Sequence, residues 1–331
     1  MSKGVVLITG GAGYIGSHSV LTFREAGHEI VVLDDLSTGR RSALPAGIPL
    51  IEGDAGDQTL VGGVIRERGV CAVVHLAGSI IAPESVSDPL KYYQNNTAVS
   101  RNLIQACVDN GVPNFIFSST AAVYGMPDKV PVAETGPTDP INPYGSSKLM
   151  TEWILRDTAA AHDFSYAALR YFNVAGADPQ GRVGQSTPNA THLLKIACQV
   201  ALGRRPELEI YGDDYDTRDG TGIRDYIHVT DLAEAHLKTF EHLRAHRENM
   251  ILNCGYGHGA TVREIVETVK RVSKVDFPVR VGPRRAGDTP ILVADNKLIR
   301  KTLGWQPRFD DTEFIVRTAL DWEQRLAEAI A

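Results

Sequence analysis

Over the first 175 positions, short and nearly unbroken apolar runs alternate with longer stretches in which apolar residues return every three or four places. The runs Val5–Thr9, Glu29–Leu33, Leu50–Gly53, Ala72–His75, Asn114–Ser118 and Tyr166–Tyr171 read as strands. Several are apolar almost throughout, which suits a parallel sheet covered on both faces better than a half-exposed antiparallel one. The periodic stretches predict helices near Ile15–Ala26, Thr59–Glu67, Pro89–Asn110 and Tyr144–His162. Strand and helix in strict alternation imply right-handed crossovers and an α/β fold with a doubly wound parallel sheet.

Past residue 175 the rhythm changes. Loops rich in Gly, Pro and Asp occur at Ala177–Asn189 and Gly212–Gly222, with helices expected at Leu193–Gly203, Asp231–Arg244, Val262–Lys274 and Asp311–Ala329. The expected organisation is therefore a sheet-based unit over 1–175 and a smaller α/β unit over 176–331, parts of which could re-enter the first.

Composition narrows the function classes. The 331 residues are 43% hydrophobic and 22% charged, ordinary for a globular chain, and 40 acidic against 34 basic residues leave a net charge of −6. Nucleic acid and anionic membranes call for a concentrated positive face, which this balance argues against. No apolar run approaches the roughly 18 residues of a membrane-spanning helix. Met1-Ser2-Lys3-Gly4 leads straight into the first strand, so no signal peptide is expected. Cys71, Cys107, Cys198 and Cys254 lie far apart without paired spacing, so no metal site and no disulfide framework is expected, and a reducing cytoplasm fits.

The first strand runs into Gly10-Gly11-Ala12-Gly13-Tyr14-Ile15-Gly16. Glycines at such a turn allow a tight bend, close approach of backbone N–H groups to a pyrophosphate, and close packing of the next helix, whose N-terminus favours anions. A glycine cluster alone also fits a purely structural turn. Asp34, about 20 residues on at the end of the second strand, adds a carboxylate that can accept from a ribose 2′-hydroxyl and would repel a 2′-phosphate, favouring NAD over NADP. Arg40 and Arg41 just downstream pull the other way, and Asp34 could instead open a solvated loop.

Asn142-Pro143-Tyr144-Gly145-Ser146-Ser147-Lys148 sets Tyr144 and Lys148 four apart, on one face of a helix. A free tyrosine ionises near pH 10, but a cation about 4 Å away at an effective dielectric near 20 contributes roughly 4 kcal/mol, enough to lower the phenol pKa by about three. Tyr144 could then take a hydroxyl proton as hydride leaves the same carbon. Tyr-x-x-x-Lys is common on plain surface helices. Here it follows a dinucleotide motif and a strand ending Phe117-Ser118-Ser119-Thr120, whose hydroxyls could reach a reacting oxygen.

With these motifs in place, the chain resembles the extended short-chain dehydrogenases/reductases, and within them the UDP-glucose 4-epimerases, over nearly its whole length. The resemblance is carried by the glycine motif, Asp54, Leu76-Ala77-Gly78, Asn95, Ser118-Ser119-Thr120, Tyr144 with Lys148, and Tyr171-Phe172-Asn173. It is carried further by Gly220-Thr221-Gly222-Ile223-Arg224-Asp225-Tyr226-Ile227-His228-Val229 and Arg284-Arg285-Ala286-Gly287-Asp288. It implies a Rossmann sheet, bound and recycled NAD, a UDP-sugar substrate and a homodimer joined through the helices Pro89–Asn110 and Tyr144–His162. Tyr144 would deprotonate the sugar 4-hydroxyl while C4 gives hydride to NAD, the 4-ketose would turn over, and hydride would return to the other face. Thr120 would bridge the sugar O4, and Lys148 would hold the cofactor ribose.

By the same resemblance the cofactor pocket would comprise Gly10, Gly13, Tyr14, Ile15 and Gly16, the segment Asp34, Asp35, Leu36, Ser37, Thr38 and Gly39, then Asp54 and Ala55. It would continue through Leu76, Ala77, Gly78 and Ser79 to Asn95, Ser118, Tyr144, Lys148 and Phe172. The substrate would meet Thr120, Tyr144, Asn173, His192 and Leu193, then Glu209, Ile210 and Tyr211, and finally Arg224, Arg285, Asp288 and Leu292. Guanidinium forks suit a diphosphate, and a chain of charge −6 needs such a local positive patch.

Three departures stand out. Gly53-Asp54-Ala55-Gly56-Asp57 is small where relatives often carry a larger apolar residue near adenine. His192 replaces a frequent asparagine, and either hydrogen-bonds the ligand or is structural. Leu292 stands where relatives often have tyrosine, and a smaller wall would suit an N-acetyl group or a pentose. UDP-xylose/UDP-arabinose and UDP-N-acetylhexosamine 4-epimerases therefore stay open beside the hexose. A 4,6-dehydratase would need carboxylates directly after the active-site threonine, where this chain has Ala121-Ala122. A non-catalytic NAD sensor would have no need of Tyr144, Lys148 and the arginines together.

Overall fold

The computed structural model describes residues 4–187, 191–285 and 288–328. Met1–Lys3, Pro188–Ala190, Ala286, Gly287 and the end of the last expected helix at Ala329 lie outside the described residues.

The first half forms β1 (Val5–Thr9), α1 (Tyr14–Glu25), β2 (Glu29–Asp34), β3 (Leu50–Glu52), α2 (Gln58–Arg68), β4 (Val70–His75), α3 (Ala82–Ser87), α4 (Pro89–Tyr92), α5 (Val99–Asp109), β5 (Asn114–Thr120), α6 (Pro143–Ala161) and β6 (Ser165–Tyr171). Local chemistry sets the boundaries. Asp57 caps α2 by accepting from Thr59 and Leu60 N–H, and Gly69 ends it at φ +64°, a conformation that costs glycine little. Asn142 caps α6 by accepting from Gly145 N–H, with Pro143 in its first turn.

The remainder adds β7 (Asn173–Ala175), α7 (Leu193–Ala201), β8 (Leu208–Tyr211), β9 (Ile223–Arg224), β10 (Tyr226–His228), α8 (Val229–His246), β11 (Met250–Cys254), β12 (Ala260–Thr261), α9 (Val262–Ser273), β13 (Val279–Gly282), β14 (Ile291–Leu292), α10 (Lys297–Leu303) and α11 (Thr312–Glu328).

Seven strands make one parallel sheet in the order β3-β2-β1-β4-β5-β6-β11. The order reverses between β1 and β4, where open α/β sheets bind ligands at the strands' carboxyl ends. The chain does not leave this sheet for good at residue 175: β11 pairs with β6, with Asn253 opposite Arg170. Apolar clusters fill both faces, one around Leu7, Val73 and Phe115 and another around Ile8, Val74 and Phe240. A third cluster, around Leu194, Ile227, Val266 and Trp305, holds the second half together.

The expected single helix Pro89–Asn110 is interrupted. Tyr93–Ala98 is a π-helical segment between α4 and α5. One extra residue per turn shifts the faces of the flanking helices, and no apolar periodicity announces it.

Candidate functional site

At the switch between β1 and β4 the backbone passes too close to itself for side chains. Gly10 has φ +70°, and a Cβ there would lie 2.6 Å from Ala77 N; a Cβ on Gly16 would lie 2.0 Å from Gly10 O. The turn is thus a bare backbone cradle opening onto α1, whose N-cap Gly13 carries no side-chain cap and whose first turn holds no acid. The first-turn N–H groups are left for an external acceptor.

Asp34 ends β2 beside this cradle, 7% exposed, accepting from Ala12 N–H and Leu36 N–H, each at 2.9 Å. Burial pushes its carboxyl up while those two bonds pull it down. Each oxygen keeps a lone pair free for a hydroxyl. Leu36 takes φ +58°, folding the Asp35–Gly39 loop back; Ser37 bonds Asp35, and a Cβ on Gly39 would sit 2.9 Å from Asp34 Oδ1. Arg41 is paired with Glu52 at 3.4 Å. Asp54 is exposed and turns onto Gly56 N–H, with Ala55 buried beside it. The Tyr14 hydroxyl donates to Gly176 O at 2.6 Å, tying α1 to the segment after β7 rather than pointing at the cradle.

Leu76, Ala77, Gly78 and Ser79 leave β4 across the cradle. The buried Asn96, in the π-helical segment, clasps Ser79 at both ends: its Oδ1 accepts from Ser79 N–H at 2.8 Å, and its Nδ2 donates to Ser79 O at 3.0 Å and to Ser147 Oγ. Asn95 donates to the Ser79 hydroxyl. Sequence reasoning named Asn95 and missed Asn96; the only signal was a polar residue in an otherwise amphipathic stretch. A Cβ on Gly78 would come within 3.6 Å of Lys148 Nζ, so the strip from Asp34 across the glycines ends at Lys148.

Lys148 is 3% exposed, donates to Ser118 O at 3.0 Å, and has the Phe117 ring 4.9 Å away. Burial pulls its pKa down to about 8. One turn earlier, Tyr144 meets Thr120: burial pushes its phenol above 10, and a hydrogen bond with Thr120 works against that. Thr120 Oγ1 accepts from Ala122 N–H at 3.1 Å, leaving its own proton to donate. Burial thus acts on both groups in the same sense, raising the Tyr144 phenol and lowering the Lys148 ammonium, and the hydrogen bond with Thr120 offsets part of the rise. The Ser118 and Tyr171 hydroxyls are hydrogen-bonded to each other.

From here a cleft of about 670 Å³ opens toward the second half of the chain. Its walls bring together Thr120, Asn173, His192, Leu193, Glu209, Ile210, Tyr211, Arg224, Arg285, Asp288 and Leu292, the expected substrate residues other than Tyr144, and also Phe172, which was expected in the cofactor pocket. Arg224 approaches Asp288 at 3.9 Å, and Arg285 lies 3.7 Å above the Tyr211 ring. Leu292 packs against the cluster containing Phe172 and Tyr124. His192 stands at the N-cap position of α7 without capping it through its side chain, and bonds Gln185 through Nδ1 at 2.8 Å; burial and the nearby Lys195 lower its pKa. Sequence reasoning missed Arg205, Tyr215 and Arg280 on these walls, since lone charged or aromatic residues outside a motif carry no signal.

Comparison with known proteins decides the family. The model of the NAD dependent epimerase/dehydratase family matches residues 6–255. The chain belongs to this family. Within it, the chain is 57% identical over 325 residues to a UDP-glucose 4-epimerase of Azospirillum brasilense, covering 98% of this chain and 93% of the relative. Among solved structures it is similar to a Stenotrophomonas maltophila UDP-glucose 4-epimerase with bound NAD and formylated UDP-arabinopyranose, at TM-score 0.94 and 38% identity over 98% and 99% of the two chains. It is also similar to a UDP-Glc/GlcNAc 4-epimerase of Campylobacter jejuni, at TM-score 0.85 and 48% identity over 97% and 99%. For a family defined by NAD, the bare glycine cradle and the half-satisfied Asp34 are the features that fit the dinucleotide.

Proposed function

We propose that this NAD-dependent enzyme interconverts UDP-glucose and UDP-galactose by reversible oxidation at sugar C4. The observation that carries the reading is the meeting of Tyr144, Thr120 and Lys148 at the end of the glycine cradle and the mouth of the arginine-bearing cleft. The relatives' names support it.

NAD, when bound, supplies a hydride acceptor that returns what it takes, so no net redox change results. The chain's own groups do the rest. The backbone of Gly10, Gly13, Tyr14, Ile15 and Gly16 would hold its pyrophosphate, Asp34 to Gly39 its adenosine ribose, and Asp54 and Ala55 its adenine. Leu76 to Ser79, Asn95, Ser118, Lys148 and Phe172 would hold its nicotinamide end. Tyr144 accepts the 4-hydroxyl proton as the C4–H bond breaks and returns it when the C4 carbonyl is reduced from the opposite face. Thr120 steadies the oxygen on which charge develops. Arg224 and Arg285 grip the diphosphate, Glu209 to Tyr211 frame the uracil, and Asn173, His192, Leu193, Asp288 and Leu292 complete the sugar side. A dinucleotide unit built on residues 1–175, which β11 and α8 re-enter, and a sugar-nucleotide unit on the rest of 176–331 share the work.

No described helix is long and apolar enough to cross a membrane, and we assign the enzyme to the cytoplasm. We assign it also a homodimer, supported by exposed Leu90, Met150 and Trp153 on α4 and α6. The test is product analysis after incubation with UDP-galactose and no added NAD. UDP-glucose is the expected product; no turnover even with NAD supplied overturns the reading.

A second reading, in which N-acetylhexosamine or pentose nucleotides are also accepted, rests on Leu292 in the cleft wall. Comparing kcat/KM for UDP-galactose, UDP-N-acetylgalactosamine and UDP-arabinose tests it; a preference for UDP-galactose above about a thousandfold would overturn it, since one wall contact shifts selectivity by about 1–3 kcal/mol.

A further inference from the structure

Behind the Tyr144–Lys148 pair lies a charged group that the proposed chemistry does not use. Glu152 is 2% exposed and sits on α6 one turn beyond Lys148 and two beyond Tyr144. Its carboxylate accepts from the Ser119 hydroxyl at 2.5 Å and from Arg170 at 3.0 Å (Nε) and 2.6 Å (Nη2). Arg170, 3% exposed, stands opposite Ser119 in β5 and opposite Asn253 in β11, so the three strands contribute one rung. Arg170 Nη1 donates to the Tyr124 hydroxyl at 2.9 Å, which donates to Asn253 Oδ1 at 2.7 Å.

Three consecutive residues of β5 thus hold three residues of α6 at four-residue intervals. Thr120 meets Tyr144, the Ser118 carbonyl meets Lys148, and the Ser119 hydroxyl meets Glu152. The first two contacts belong to groups that must stay free to move protons and grip a ligand. The third has no such duty, and its partners are fully satisfied.

A buried ion pair is not needed for stability, because apolar residues of equal volume commonly serve as well or better. What directional bonds add is register: apolar contacts let a helix slide or rotate, whereas a forked carboxylate–guanidinium pair fixes one geometry. We propose that Glu152 is a positioning residue, locking α6 onto the Ser119–Arg170 rung so that Tyr144, about 12 Å along the helix, meets the reacting hydroxyl in line with Thr120. This role rests on the epimerase reading above.

The experiment compares wild type, Ser119→Ala and Glu152→Gln with UDP-galactose, measuring kcat, KM, retained NAD and the pH profile of kcat. Both variants are expected to keep NAD and a KM within about threefold, while kcat falls at least about tenfold, as misplacement by an ångström commonly costs more. The acidic limb of the profile is expected to move to higher pH as Tyr144 loses its setting against Thr120 and Lys148. Wild-type kcat in both variants overturns the proposal, as does a loss that only tracks the unfolded fraction with the pH profile unmoved. Should Glu152→Gln fail to fold, Ser119→Ala, which deletes a single hydroxyl, decides by the same criteria. An inactive wild type overturns the epimerase reading itself and this role with it; an active wild type with unaffected variants overturns this role alone.

Discussion

Lys148 donates to the Ser118 carbonyl at 3.0 Å from a position only 3% exposed, and that bond leaves its ammonium only partly compensated. Burial lowers its pKa from 10.5 to about 8. A lysine whose folded pKa lies below its unfolded one favours the folded state above pH 10.5, and that benefit is lost as pH falls through about 8. At pH 7 the charged side chain therefore burdens the fold. Lys148→Met in NAD-free protein is expected to raise Tm at pH 7, with the gain shrinking between pH 8 and 10.5, while turnover is abolished. An unchanged or lower Tm at pH 7 contradicts this account of the site.

Tyr144→Phe removes one oxygen from a site whose packing is otherwise kept. Turnover should fall by about 10²- to 10⁴-fold, the usual contribution of a positioned acid–base group, with NAD content and Tm close to wild type. Thr120→Val should lower kcat less, since Thr120 assists an oxygen rather than carrying its proton. Steady-state kinetics with cofactor quantitation checks both.

Gly16→Ala would set a Cβ 2.0 Å from Gly10 O, a backbone atom that cannot swing aside. The glycine turn must then open, so purified Gly16→Ala is expected to carry little NAD and to unfold at lower temperature. Full NAD occupancy by absorbance would contradict the cradle.

Arg224→Leu should raise KM for UDP-galactose by about 10- to 100-fold, as a charge-assisted hydrogen bond contributes about 1.5–3 kcal/mol. NAD occupancy should stay unchanged, since Arg224 lies in the cleft and not along the glycine strip. A fall in kcat with unaltered KM would mean that Arg224 acts on the reacting centre instead of the diphosphate.

Much of this fold was legible because its signals are local. The buried strands β1, β2 and β4 are apolar enough to be read directly, Asn142 and Pro143 announce α6, and four-residue spacing alone puts Tyr144 and Lys148 on one face. What was not legible depends on contacts distant in sequence. The π-helical segment at Tyr93–Ala98 follows from how Asn96 reaches Ser79 and Ser147. β11 returns to a sheet left some eighty residues earlier, and nothing in Met250–Cys254 names β6 as its partner. The electrostatics of Tyr144 were legible only in part for a related reason: spacing gives proximity to Lys148, but the dehydration that raises the phenol and lowers Lys148 belongs to the assembled pocket.

The most direct test of the central claim follows the hydrogen on sugar C4. UDP-galactose is converted in D2O without added NAD, and the product is read by proton NMR. The account predicts UDP-glucose with its original hydrogen at C4, because hydride passes to a cofactor held on the enzyme and returns without meeting solvent. Deuterium at C4, or no UDP-glucose at all, would contradict it.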